Sequence, residues 1–255
     1  MKMEKSKKHI NFSKVFGIIF CLVTFGLMIT MADLFSSLIT VGGFSFVNDN
    51  INFSEYKLYA VYTAKYQEKI LANESSENIK MQGGAGFLYM NENSYYIIAS
   101  IYETEADAKK VLTNIIEKKP DASIITITIP QIVISSNLGG QEKSVVNNSL
   151  SLFKNVYKKL YDISVSLDTT VINEVNAKLT INEIYSEVQT ALNNFNTIFN
   201  GNVSTSLLKI KLGLEEIETH LDDLINTNLT LPFTSLVKEC YCKVIYSYKN
   251  IASHI

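Results

Sequence analysis

The 255-residue chain contains no arginine and no tryptophan, and it has only three cysteines and three histidines. All 23 basic residues are lysines, and 25 acidic residues bring the net charge to −2. This balance offers no basic surface for neutralising many phosphates, so we predict no binding to nucleic acid. Three cysteines, two of them only two positions apart, predict no disulfide framework.

The motifs of common catalytic and nucleotide sites are also missing. The sequence has no HExxH zinc motif, no G-x-S-x-G nucleophile turn and no P-loop. Glu216, His220 and Asp223 share one face of a predicted helix, and without a further ligand we interpret them as a surface ion pair. We therefore predict a protein that is not an enzyme and needs no metal or other cofactor.

An uncharged apolar run from Val15 to Ala32 predicts a transmembrane helix, assigned to residues 15–36. The leader before it, residues 1–14, carries five lysines, whereas no lysine follows until Lys57. The positive-inside rule then places the N-terminus in the cytoplasm and the bulk of the chain outside it, on a single-pass cell-membrane protein. A cleaved signal peptide is the alternative, although the apolar run is longer than the usual hydrophobic region of about 7–15 residues.

Residues 53–131 alternate between strand and helix patterns. Aromatic and β-branched residues predict strands at residues 57–63, 87–91, 94–102 and 122–130, with helices after the first and third. Asn91-Glu92-Asn93 predicts a tight hairpin turn, and Thr104 predicts a helix N-cap. The predicted order is β-α-β-β-α-β, an α+β unit with both helices on one face of the sheet.

The other face of this sheet is expected to be open. Strand periodicity directs Val61, Ile97, Ala99, Ile125 and Ile127 toward the helices. It leaves the open face to Tyr62, Tyr96, Ile98, Ser100, Thr126 and Thr128. Because tyrosines combine an apolar ring with a polar hydroxyl, such a face suits a carbohydrate polymer, and we predict these six residues as a glycan-binding site.

Two segments of this unit resemble the half-repeats of the SPOR domain, an RNP-like module of bacterial envelope proteins. Tyr59–Tyr66 (YAVYTAKY) stands where the family has aromatic-x-Val-Gln-x-Gly-x-Phe, and Tyr95–Tyr102 stands at the second half-repeat. Tyr62 replaces the usual glutamine, while Ala64 and Ser100 replace glycines. The resemblance implies binding of peptidoglycan glycan strands that lack stem peptides.

Residues 141–255 contain amphipathic helical patterns and no strand pattern. The predicted helices span about Glu142–Leu167, Val171–Phe199, Val203–Ile225 and Thr234–Ala252. They predict a bundle of four antiparallel helices. In the last helix, a cluster of tyrosines and lysines is compatible with a solvated face or with a membrane or polymer contact; it comprises Tyr241, Tyr246, Tyr248, Lys238, Lys243 and Lys249.

Two functional hypotheses follow. The first is a membrane-anchored envelope protein that binds peptidoglycan through the open sheet face, during cell division or sporulation. The second is a structural scaffold whose helical bundle recruits an envelope protein, with glycan binding lost. An exposed sheet face favours the first hypothesis, and a face covered by the bundle favours the second.

Overall fold

The computed structural model describes residues 50–134, 137–201, 203–227 and 230–255, which form one compact unit of the α+β class. The strands are β1 (Ile51–Phe53), β2 (Tyr56–Tyr66), β3 (Phe87–Asn91), β4 (Ser94–Tyr102), β5 (Ser123–Ile129) and β6 (Ile132–Ile134). The helices are α1 (Lys69–Met81), α2 (Glu105–Ile116), α3 (Gly140–Asp168), α4 (Glu174–Ile198), α5 (Thr205–Asn226) and α6 (Phe233–Ala252).

The predicted leader and transmembrane helix, residues 1–36, lie outside the described residues. Among the helices that are described, none combines the length and the apolar character needed to cross a membrane.

The main sheet has four antiparallel strands in the order β3-β4-β2-β5. Elements β2 to β5 follow one another as β-α-β-β-α-β, which is the predicted order. A second sheet pairs β1 with β6, and the Gln131 amide donates to Asn52 Oδ1 at 2.9 Å beside it. These three-residue strands were not predicted, because so short a segment carries almost no periodicity.

Two local predictions in this part of the chain are confirmed. The β3–β4 hairpin turns at Glu92 and Asn93, whose φ angles of 47° and 60° are those of a two-residue type I′ turn. Thr104 caps α2, since its hydroxyl oxygen accepts a hydrogen bond from the Asp107 backbone N–H at 3.1 Å.

The turn that connects α1 to β3 requires a glycine. Gly86 has a φ of +58°, and a Cβ there would lie 2.5 Å from the Ser76 carbonyl oxygen. The Ser76 hydroxyl in turn donates to the Gly86 carbonyl. This contact holds β3 against α1, and only a residue without a side chain fits it.

Helices α3 to α6 form the four-helix bundle. Each helix packs against the next, and α6 returns to pack along α3, so the four close into a ring. Short connections between long packed helices make consecutive helices antiparallel. At Gly213 the backbone of α5 approaches Ile251 and Phe153 so closely that a Cβ would overlap both side chains.

Helix α6 belongs to both layers of the protein. Twelve of its 20 residues are buried, and it contacts β3, β4 and β5 as well as α3 and α5. Leu58 and Ile98 from the sheet share one continuous core with Val156 and Leu214 from the bundle. The sheet is therefore enclosed by α1 and α2 on one face and by α6 on the other.

Candidate functional site

The sheet face that we predicted to be open is covered. Ile98 is fully buried, and Tyr96 and Ser100 are each only 8 % exposed. Ile98 and Tyr96 belong to the core that the sheet shares with the bundle. The prediction of an open face is wrong because α6 is apolar enough to pack on two sides at once, and the sheet provides its second partner.

Tyr62 keeps partial access to solvent at the end of this face. Its ring meets Tyr96 edge-on, with ring centroids 5.1 Å apart. The Lys65 ammonium nitrogen lies 5.1 Å from the centroid of the Tyr96 ring. The structure thus brings together two of the predicted tyrosines and adds Lys65, which sequence reasoning missed.

The predicted placement of β5 is also wrong. Thr126 pairs with Tyr59, and Thr128 pairs with Lys57, so both threonines lie on the Val61 face of the sheet. Ile127 pairs with Leu58 and packs in the core shared with the bundle. The threonines and the isoleucines of β5 alternate along the strand. The sequence does not indicate which of these two sets faces the bundle and which faces α1 and α2.

An irregularity in β4 adjusts which of its residues face the bundle. Ala60 pairs with Ile101 and Tyr62 pairs with Ile98, so β4 has one extra residue opposite β2. Ile98 and Ile101 are three positions apart, yet both lie in the core shared with the bundle. A strictly alternating strand would have placed them on opposite faces.

Tyr241 in α6 is the central polar contact between bundle and sheet. Its hydroxyl lies 2.8 Å from the Ser100 hydroxyl, and it accepts a hydrogen bond from the Ile101 backbone N–H at 3.4 Å. Burial raises the pKa of Tyr241 well above its usual value, so this phenol stays neutral. Ser100, a predicted glycan contact, is instead hydrogen-bonded to Tyr241 of the same chain.

The beginning of α6 is joined to the end of α1. The Ser235 hydroxyl donates to the Lys80 carbonyl at 2.6 Å. The Lys238 ammonium donates to the Gly83 carbonyl at 2.9 Å and to the Asp168 carboxylate at 2.6 Å. Lys238 therefore joins the turn before β3 to the last residue of α3.

An ion-pair network reinforces this junction. The Lys80 ammonium lies 3.0 Å from Glu239 and 3.1 Å from Glu77. Partial burial lowers the pKa of Lys80, but the carboxylates of Glu239 and Glu77 outweigh it, so the net shift is upward. Lys80 thus remains charged between the two layers.

Aromatic contacts complete the junction at the other end of α6. Tyr248 stacks on Phe153 of the bundle at 5.3 Å, and its ring is 6.3 Å from Tyr56 of the sheet. The Lys249 ammonium donates to the Tyr89 hydroxyl at 2.6 Å. Contacts between α6 and the sheet therefore extend along most of the helix.

The tyrosine and lysine cluster of α6 is largely internal. Tyr241 is fully buried and Tyr248 is 4 % exposed, whereas Tyr246 is 38 % exposed. The interpretation of this cluster as a solvated, membrane or polymer face is wrong for the first two residues. Apolar residues occur all round α6, and this pattern was the available signal that the helix is buried on both sides.

Among the described residues, His220 forms no ion pair with Glu216 or with Asp223, so the predicted ion pair on α5 is wrong. Glu216 accepts a hydrogen bond from the Ser247 hydroxyl of α6 at 2.6 Å. Burial, with a further contribution from the Lys243 charge, lowers the pKa of His220. Within the described ranges, no group of three or more histidine, cysteine or acidic side chains is arranged to hold a metal ion.

A groove of about 450 Å³ lies between α3 and α4. It is lined by Val145, Asn148, Ser149, Leu152, Glu183, Ser186, Glu187, Thr190, Ala191 and Asn194. The Lys159 ammonium pairs with the Glu187 carboxylate at 2.6 Å. The lining combines the carboxylates of Glu183 and Glu187 with amide and hydroxyl side chains, and it contains no histidine, cysteine or lysine.

Exposed apolar residues lie at the start of α4 and in the turn before it. Val175 and Leu179 in α4 are 67 % and 61 % exposed, and Val171 in the preceding turn is 75 % exposed. The inner side of the same helix carries the buried residues Ala177, Ile181, Ile184, Val188, Leu192 and Phe195. Residues four apart on a helix share one face, so Val175 and Leu179 form one exposed apolar face of α4.

Comparison with known proteins adds no relative: no family model, curated protein or solved structure matches this chain.

Proposed function

We propose that the protein is a non-enzymatic scaffold of the bacterial envelope, anchored in the cell membrane through residues 15–36 with its bulk outside the cytoplasm. In this proposal the sheet supports the helical bundle, and the bundle holds a protein partner. The carrying observation is the packing of α6 on the sheet face that would otherwise bind glycan.

Three features make exposure of this sheet face costly in free energy. Ile98 is fully buried there, Ser100 is hydrogen-bonded to Tyr241, and Lys238 spans the junction. A glycan strand would have to displace α6, whose other side is part of the bundle core. Displacing α6 would therefore expose both cores, which argues against a function that needs this face.

The exposed apolar face of Val175 and Leu179 on α4 supports recruitment of a partner by the bundle. Contiguous exposed apolar residues on a soluble surface commonly mark protein contacts. We infer the membrane anchor from the apolar run, and its orientation from the lysines that precede this run.

Site-specific photo-crosslinking tests the proposed partner surface. A photoreactive residue at Val175 in the full chain should give one discrete adduct in intact cells. The same residue at Asn196, an exposed position about 30 Å further along α4, is the control. Leu179→Lys should abolish the Val175 adduct, and adducts that form equally at both positions would contradict the proposal.

Peptidoglycan binding remains a second candidate, favoured by the partly exposed Tyr62 beside Lys65 and Tyr96. An aromatic ring next to an ammonium group offers both a stacking surface and a donor to a sugar. The full chain should then pellet with glycan strands stripped of stem peptides, and a Tyr62→Ala, Lys65→Ala variant should not. The scaffold proposal predicts no pelleting by either protein.

A further inference from the structure

Strand β5 is an edge strand of the main sheet that the described residues form. It pairs with β2 in an unbroken register from Tyr56 opposite Ile129 to Tyr62 opposite Ser123. On its other side, no backbone hydrogen bond from any described residue reaches β5. Its outward N–H and C=O groups therefore have no backbone partner within the part of the chain that the structure describes.

This edge lacks the features by which sheet edges are normally protected. Ser123–Ile129 reads SIITITI, with no charged residue, no proline and no bulge in its pairing with β2. Long, flat, uncharged edges tend to pair with other strands. The opposite edge, β3, has only five residues, and Lys80 and Lys243 lie beside it.

We propose that β5 pairs antiparallel with β5 of a second copy of this chain, about a two-fold axis at Thr126. In this arrangement Thr126 lies opposite the partner's Thr126, and Ile125 lies opposite the partner's Ile127. Two four-stranded sheets then join into one continuous sheet of eight strands, with an isologous interface.

Five of the seven cross-strand pairs in this register join two β-branched residues. Centring the axis on Thr126 pairs all seven residues, whereas any other centre leaves residues at both ends unpaired. On the bundle side Ile125 lies opposite Ile127 and Ser123 lies opposite Ile129, whereas on the other side Thr126 lies opposite Thr126 and Ile124 lies opposite Thr128. Pairs of β-branched residues in such positions are favourable by about 0.2–1 kcal/mol each. No charged residue enters the contact, so like-charge repulsion does not oppose it.

Cysteine crosslinking in membranes tests the register. In the full chain with Cys21→Ser, Thr126→Cys places two thiols directly opposite each other, with Cα atoms about 4.5–5.5 Å apart. This separation permits a disulfide. Thr128→Cys is the matched control, because its two copies would lie about 13 Å apart along the strands. Mild oxidation should give a disulfide dimer with Thr126→Cys and not with Thr128→Cys.

Equal crosslinking by both variants, or none by Thr126→Cys, would overturn the proposal. An extended peptide of another protein bound at the same edge is the competing occupant, and it would leave Thr126→Cys uncrosslinked. Cys240 and Cys242 are buried, so they should not contribute to the dimer.

A charge at the axis tests the strength of the contact. Thr126 is exposed, so Thr126→Lys should leave the circular dichroism spectrum unchanged. It places two ammonium groups opposite each other and should raise the dimer dissociation constant at least about tenfold. Thr113→Lys adds the same charge at an exposed position of α2 and should have no effect. Equal effects of the two variants in sedimentation equilibrium would contradict the β5 contact.

Discussion

Removing the Tyr241 hydroxyl should measurably destabilise the protein. Tyr241→Phe keeps the ring but leaves the Ser100 hydroxyl and the Ile101 N–H without their partner in a buried site. A buried polar group that loses its partner costs about 1–3 kcal/mol. We expect the free energy of unfolding to fall by this amount, with an unchanged dependence on denaturant concentration, in guanidinium unfolding of the full chain in detergent followed by circular dichroism.

Tyr157→Phe is the matched control. The Tyr157 side chain is 2 % exposed, and its hydroxyl has no hydrogen-bond partner among the described residues. Removing this hydroxyl should leave stability unchanged or increase it by up to about 1 kcal/mol. If Tyr241→Phe and Tyr157→Phe have equal effects, Tyr241 does not make the proposed bond between α6 and the sheet.

Three further predictions concern the turn before β3 and the buried side chains of α6. Gly86→Ala should cost about 1–3 kcal/mol in the same assay, because of its positive φ and its contact with α1, whereas Gly140→Ala, where a Cβ meets nothing within 4 Å, should cost nothing. Burial raises the pKa of Cys240 to about 12, so the folded protein should give no thiol reaction at this residue at pH 8, and the denatured protein should react fully. Burial likewise raises the pKa of Tyr248 to about 12. Because this folded-state pKa exceeds the unfolded value of 10.0, the stability contribution is intact below pH 10 and is lost as the pH rises toward 12. The phenolate absorbance of Tyr248, obtained as the difference between the spectra of the protein and of the Tyr248→Phe variant, should then appear together with unfolding. Phenolate absorbance of Tyr248 in the folded protein at pH 10 would contradict its burial.

Most of the secondary structure could be predicted from the sequence. The pattern of β4 predicted its bounds at Ser94 and Tyr102, and the bundle helices begin and end within about three residues of their predicted limits. Local signals sufficed for these elements: period-2 or helical spacing of apolar residues, an N-cap and a two-residue turn.

The relation between sheet and bundle could not be predicted in the same way. Alternation along β5 identifies two sets of residues but not which layer each set faces, so Thr126 and Thr128 were assigned to the wrong face. The irregularity opposite Tyr62 also shifts Ile98 and Ile101 onto the same side, and it has no sequence signature here. Both depend on contacts between distant segments of the chain.

The covered sheet face is most directly tested by thiol labelling of Ser100→Cys in the full chain with Cys21→Ser. Thr113→Cys on α2 is the exposed control. If α6 covers the sheet, a maleimide should label Ser100→Cys at least about a hundredfold more slowly than Thr113→Cys, because labelling then requires local opening. Equal labelling rates in the folded protein would contradict the covered face and would return the sheet to its predicted role as an open glycan-binding surface.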